Sequence, residues 1–213
     1  VDPGVGSDRK SVVVKTASGH YIVTPDNGTL THVIRFDGIE EVREIDENVN
    51  RLPRSGESYT FHGRDVYAYT GARLASGIIN FTEVGPLRDT DSLVRLPIIE
   101  PRLDGHAVCG TIDVLDVRFG SLWTNIPRTL FLQTGIQYGD RVSITIENDT
   151  RCVYRNIILF ARSFADVYVG EALAYVNSLD CVAVAINQGS FARAYNIGTG
   201  NSWRIRIEPF KGF

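Results

Sequence analysis

The second half of this chain is a run of short β-rich segments broken by glycine, aspartate and asparagine, and that texture constrains the fold more than any other feature. HAVCGTIDV (106–114), DRVSITIEN (140–148), RCVYRNIILF (151–160), CVAVAIN (181–187) and SWRIRIEP (202–209) follow one another with little helical signal between them. In DRVSITIEN, Val142, Ile144 and Ile146 alternate with polar residues, the period of a strand that buries one face. Five or more such strands predict a small antiparallel barrel or sandwich over residues 106–213.

The first half has a different grain. SVVVKT (11–16) and YIVT (21–24), joined by the turn residues ASGH, read as adjacent strands. PDNG (25–28) is a turn signal, because Asn27-Gly28 tolerates positive φ. VIRF and EEVREI give mixed short signals. From Arg64, Val66, Tyr69, Ala72, Leu74 and Ala75 form a helical stripe, with Asp65 a candidate cap and Gly77 a C-cap. Strands with a helix predict an α/β domain over residues 1–92. LVRLPIIEPRLDG (93–105), with two prolines and no stripe, is expected to cross between the domains.

Composition narrows the function classes. The 213 residues are 43% hydrophobic and carry a formal charge of −3, which gives no support to a nucleic-acid surface. No apolar run approaches the roughly 18 residues of a membrane span, and no signal-peptide pattern opens the chain. Cys109, Cys152 and Cys181 are isolated and odd in number, as expected of buried thiols in a reducing cytoplasm rather than a disulfide framework or a zinc site. The chain holds no Met, so a segment ahead of Val1 is expected in the gene product.

Four stretches could carry chemistry. In VDPGVGSDRK, Pro3 fixes φ and Gly4 and Gly6 permit a bend that would fold Asp2 back towards Arg9; a turn bracketed by a surface ion pair is the plainer reading. TFHGRD (60–65) puts His62 in a loop at a helix start, able to face a cleft or to serve structure alone. IDVLDVRFGSLWTNI (112–126) gathers Asp113, Asp116, Phe119, Trp123 and Asn125. Aromatic faces beside a carboxylate suit a flat, amine-bearing ligand, and equally a barrel corner around a buried Trp. In YVNSLDCVAVAINQG (175–189), Asn177, Ser178 and Asn187 flank a strand, where ligands bind and ordinary turns occur.

VDPGVGSDR, TPDNGTLT, FHGRDVYAYTGARLASG, FGSLWTNI and YVNSL…AINQGSFA, in this order, resemble the S-adenosylmethionine hydroxide adenosyltransferase family, hydrolases related to the fluorinase and chlorinase. The resemblance covers essentially the whole chain, less the leading part of the family's N-terminal domain. It implies an α/β N-terminal domain, incomplete here, followed by an antiparallel β-barrel. It also implies a homotrimer with active sites between subunits, S-adenosylmethionine as ligand, no metal or organic cofactor, and adenosine and methionine as products. The family's catalytic set falls on Asp2, Arg9 and His62. Substrate contacts fall on Phe61 and Gly63 beside the reacting centre, Asp116 at the methionine ammonium, and Ser178, next to Asn177, at its carboxylate. Phe119 and Phe164 fall around the adenine. Ser121 departs from the Asn usual at the adenine edge, and Leu179 from an Arg of the fluorinase. The halogenating relatives carry Tyr-Ser where this chain has His62-Gly63, which favours water over halide. A non-catalytic adenosyl-binding module and a halide-using transferase are the competing readings.

Overall fold

Three consecutive valines set the first unit. In β1 (Ser11–Thr16) successive side chains point to opposite faces, so Val12 and Val14 enter one core and Val13 the other. A strand buried on both faces must lie inside a sheet, and β1 pairs antiparallel with β2 (Tyr21–Pro25) on one side and β3 (Ile39–Glu44) on the other. The short β4 (Leu87–Arg88) extends the sheet from β3. One face is covered by Leu30, Val33 and Ile34 of helix α1 (Thr31–Phe36) and its approach, which settles the mixed signals of VIRF and EEVREI as helix then strand. The other face takes Val66, Tyr67 and Leu74 from the expected helix. The structure, a computed structural model, describes residues 2, 4–57 and 59–210; Pro3 lies outside them.

That helix begins unusually. Gly63–Ala68 forms a π-type turn before the regular helix α2 (Tyr69–Ala75), and such widened turns occur often at functional sites. Gly77 closes it at φ 72° as expected. Asp65 does not cap: His62 occupies the N-cap position without a side-chain cap bond, and Asp65, fully buried, is held by Arg64 Nε at 2.6 Å. That hydrogen bond from the guanidinium holds the Asp65 carboxyl below its ordinary range.

The second unit closes on itself. The strands are β5 (Arg102–Asp104), β6 (Ala107–Leu115), β7 (Leu122–Pro127), β8 (Arg141–Asn148), β9 (Arg151–Phe160), β10 (Ala172–Val176), β11 (Cys181–Ile186) and β12 (Gly200–Pro209). They run in the order β12-β8-β9-β10-β11-β7-β6, and β12 pairs with β6, which makes a closed seven-stranded barrel with β5 added beside β6. The barrel is mixed rather than purely antiparallel. Leu173 and Ala174 of β10 pair with Leu159 and Phe160 of β9 in parallel, because residues 161–171 carry the chain back to the same end before β10 starts. Val142, Ile144 and Ile146 of β8 point inward as their alternation requires, and Phe131 of helix α3 (Arg128–Phe131) and Phe191 of helix α4 (Phe191–Tyr195) join the same core. The cysteines are free as expected but none is buried, and Cys152, on the outward side of β9, is exposed.

The two compact units are Val1–Leu96 and Pro97–Phe213.

Candidate active site

The site residues of the first unit are placed by side chains that are missing. Val5 N–H donates to the Asp2 carbonyl and Ser7 N–H to the Gly4 carbonyl, so the opening stretch is two successive turns. A Cβ on Gly4 would lie 2.0 Å from Arg9 Nη1, and the guanidinium fills that space. Gly6 adopts φ 78°, where a Cβ would also come within 2.8 Å of the Tyr59 carbonyl. The bend thus brings Arg9 Nη2 into an ion pair with Asp2 Oδ2, while Gly4 N–H donates to Asp2 Oδ1 at 3.2 Å. Both side chains are more than four-fifths buried, at 18% and 17% exposure, which sets the pair apart from the solvated surface pairs of the chain. Arg9 Nε is buried with no partner among the described residues, a donor left for something else.

His62 makes no hydrogen bond to either member of the pair, but two contacts tie its segment to them. Gly6 packs on Tyr59, three residues before His62. The His62 ring meets Tyr67 edge-on at 6.5 Å, and the Tyr67 hydroxyl accepts from Ser11 Oγ at 3.3 Å, two residues after Arg9. Beside His62, Gly63 faces open space, with nothing within 4 Å of where a Cβ would be. Phe61 is exposed, with the Arg64 guanidinium 4.9 Å above its ring.

In the barrel unit, Phe119 and Phe164 flank one cleft of about 580 Å³, with Arg118 and residues 186–190 completing its walls. They are distant in sequence and converge because the turn after β6 and the connection leading into β10 lie beside the exit of β11. Phe119 is 67% exposed and Phe164 36%, so both rings present faces to solvent. Asp116 holds the first turn: its Oδ1 accepts from Arg118 N–H at 2.9 Å, and its own N–H donates to the Ser121 carbonyl. Gly120, at φ 68°, lets this turn press on Ser190.

Other expected residues are placed elsewhere. Ser121, only 2% exposed, is packed into the base of the turn. Asn125 spends its amide on structure, accepting from Thr111 N–H and donating to the Ile99 carbonyl. Asn177, 8% exposed, accepts from Leu179 and Cys181 N–H and closes the hairpin between β10 and β11. Ser178 is exposed on that hairpin tip, at the Pro127 end of β7, whereas Asp116 lies past its Leu122 end. Because the pairing of β7 with β11 is bulged, Leu122 and Pro127 lie opposite Val184 and Cys181, only three residues apart on β11, about 10 Å. Gln188 was missed by the sequence reading; its only signal was its place in AINQGSFA.

Known proteins carry the same two-part organisation. The SAM hydroxide adenosyltransferase N-terminal domain matches residues 1–85, and the corresponding C-terminal domain matches residues 110–204. A fluorinase of Nocardia brasiliensis is 33% identical over 96% of this chain, which spans 64% of that protein. An (R)-S-adenosyl-L-methionine hydrolase of Methanocaldococcus jannaschii is 38% identical over 70% of this chain and 48% of its own length; one from Salinispora tropica is 33% identical over 96% and 72%. The chain therefore spans from about half to nearly three quarters of these relatives. The crystal structure of an uncharacterized conserved protein from Thermotoga maritima superposes with a TM-score of 0.79 at 33% identity, covering 97% of this chain and 74% of that one. With both domain types matched in order and a relative covered over most of its length, the chain belongs to the SAM hydroxide adenosyltransferase family.

Proposed function

We propose that this chain is the greater part of a hydrolase that converts S-adenosylmethionine and water to adenosine and L-methionine. The observation that supports the reading is the shielded Asp2–Arg9 pair, whose Arg9 Nε is buried without a partner among the described residues and whose bend packs, through Gly6, on Tyr59 three residues before His62. The sulfonium is already a good leaving group, so the reaction needs no acid at sulfur. It needs a water held in line with the C5′–S bond. As the water oxygen bonds to C5′, the C5′–S electron pair returns to sulfur, which leaves as a neutral thioether. The proton lost from water passes to Asp2 and then to solvent. Arg9 and His62 stabilise the hydroxide character that develops on the oxygen. Alignment alone can supply up to roughly 7–11 kcal/mol of the barrier.

Relatives named as fluorinases and as hydrolases are about equally similar, so identity does not choose between them. Gly63 does. It offers no hydroxyl to strip water from a halide, and the space beside His62 is open. Phe119 and Phe164 hold the adenine by stacking, and Asp116, whose Oδ2 has no partner among the described residues, takes the ammonium. Ser178, exposed on its hairpin tip next to Asn177, takes the methionine carboxylate in this reading. In a homotrimer, the first unit of one subunit and the barrel of its neighbour complete one site.

The test is to incubate the full-length protein with S-adenosylmethionine in ¹⁸O-water, with and without fluoride or chloride. Adenosine labelled at its 5′ oxygen is the expected product. A 5′-halo nucleoside would transfer the chain to the halide-using class, and tight binding without turnover would make it a binding module.

A further inference from the structure

The cleft between Phe119 and Phe164 holds a flat ring but, on stacking alone, would hold any flat ring. Its selectivity must come from polar side chains in its walls, and most of these are committed. The Asn187 side-chain amide donates to the Phe164 carbonyl at 3.1 Å and to the Val167 carbonyl at 2.9 Å. Ser190 Oγ accepts from Arg193 N–H as the N-cap of α4. Ser121 is shut away beneath the turn. Arg118 and Gln188 remain, and neither side chain has a hydrogen-bond partner among the described residues.

Arginine offers only donors, whereas the edge of adenine shows a donor, the exocyclic amine, beside a ring-nitrogen acceptor. A carboxamide matches that pair in one plane, which is why Gln and Asn are the side chains that read adenine bidentately. The backbone of Gln188 adds an independent sign. Among the described residues, five non-glycine residues have positive φ; three are Asp or Asn, which tolerate it, and one of the other two is Gln188 at 55°. The turn that forces this conformation is fixed by Gly189 N–H donating to the Ile186 carbonyl and by Asn187 paired through both backbone groups, to Glu171 N-terminal neighbour Gly170 and to Glu171 itself. An unfavourable backbone held by its surroundings, at the wall of a cleft, marks a position kept for what it presents.

We infer that the Gln188 side-chain amide reads the amine-bearing edge of the base and is the residue that selects adenine in this cleft. The inference rests on the proposed seating of the adenosyl group between Phe119 and Phe164. It gives Gln188 the recognition task that buried Ser121 cannot perform.

The experiment measures adenosine and purine riboside, which lacks the exocyclic amine, by calorimetry on the full-length protein. Wild type is expected to prefer adenosine by about tenfold. Gln188→Leu should lose that preference while keeping its affinity for purine riboside. Gln188→Gly, at ease at positive φ, should do the same without loss of thermal stability, so misfolding cannot mimic the result. Full preference retained in both variants would overturn the inference and leave the cleft assignment standing, with the backbone as reader. Failure of wild type to bind either nucleoside would remove the cleft assignment and the inference together.

Discussion

The bend that carries Asp2 and Arg9 and the cleft flanked by Phe119 and Phe164 hold their side chains by different means. In the bend, Gly4 and Gly6 leave out atoms so that a guanidinium can fold back on a carboxylate, and charge does the positioning. In the cleft, strand ends of a closed barrel bring two rings together from opposite parts of the chain, and the polar groups mostly serve the turns. Charged groups poised by hydrogen bonds suit bond-making, where small displacements matter. Exposed rings on a rigid rim suit binding, where area matters more than angle. The comparison therefore predicts that the two regions fail differently when altered.

The largest effect should fall on neither region but on the scaffold that makes the cleft possible. Phe160 is buried in the barrel core, its ring 4.8 Å from Phe131 in an edge-on pair. Phe160→Ala should cost about 3–5 kcal/mol in chemical denaturation. A loss below 1 kcal/mol would mean that the rim does not depend on the core beneath it.

Next come the charges. Asp2→Ala, Arg9→Ala and His62→Ala should each lower kcat by about 10²-fold or more, with KM and melting temperature close to wild type. Gly4→Ala sharpens the point. Its Cβ collides only with the mobile end of Arg9, so the fold should survive while the guanidinium moves, and a misplacement of this kind costs about 10²-fold in turnover. Wild-type kcat in Gly4→Ala would show that the closed pair is not the working arrangement. The rings should respond in the other parameter: Phe119→Ala or Phe164→Ala should raise KM about tenfold at unchanged kcat. A fall in kcat instead would erase the division of labour.

How much of this was legible in the sequence follows from the same contrast. The barrel was, because burial on one face imposes a period of two, and Val142, Ile144 and Ile146 show it without knowledge of their partners. The parallel pairing of β9 with β10 was not, since direction depends on the path of residues 161–171, and no local pattern encodes it. Within IDVLDVRFGSLWTNI, the residues from Leu122 onward are not rim but strand β7, because its neighbours on both sides supply the pairing that its own residues only permit. The glycines of the opening stretch announced a bend, but the reason for Gly4 is a contact with Arg9 that only folding creates. Gln188 escaped notice for a similar reason: its significance lies in its neighbours being occupied.

The smallest effect concerns a third arrangement of charge, away from both regions, and tests whether exposed polar clusters behave like the shielded pair. Asp37 accepts from Ser18 N–H at 3.0 Å and from Ser18 Oγ at 2.5 Å, and Ser18 Oγ also meets His20 Nδ1 at 2.8 Å. The Ser18 hydroxyl, then Thr16, hold the Asp37 carboxyl below its ordinary value of 3.8. A carboxyl lowered in the folded state favours folding at pH above its unfolded value, and this contribution disappears as pH falls through the lowered folded value. Stability should thus decline below about pH 4 in part through Asp37, and Ser18→Ala should flatten that decline while leaving kcat at neutral pH untouched. Because Ser18 and His20 are exposed and Asp37 is only half-buried, the difference between the two acid-unfolding curves should be small and should shrink further in added salt. A large, salt-independent difference would show that shielding is not what separates the Asp2–Arg9 pair from the other polar clusters of the first unit.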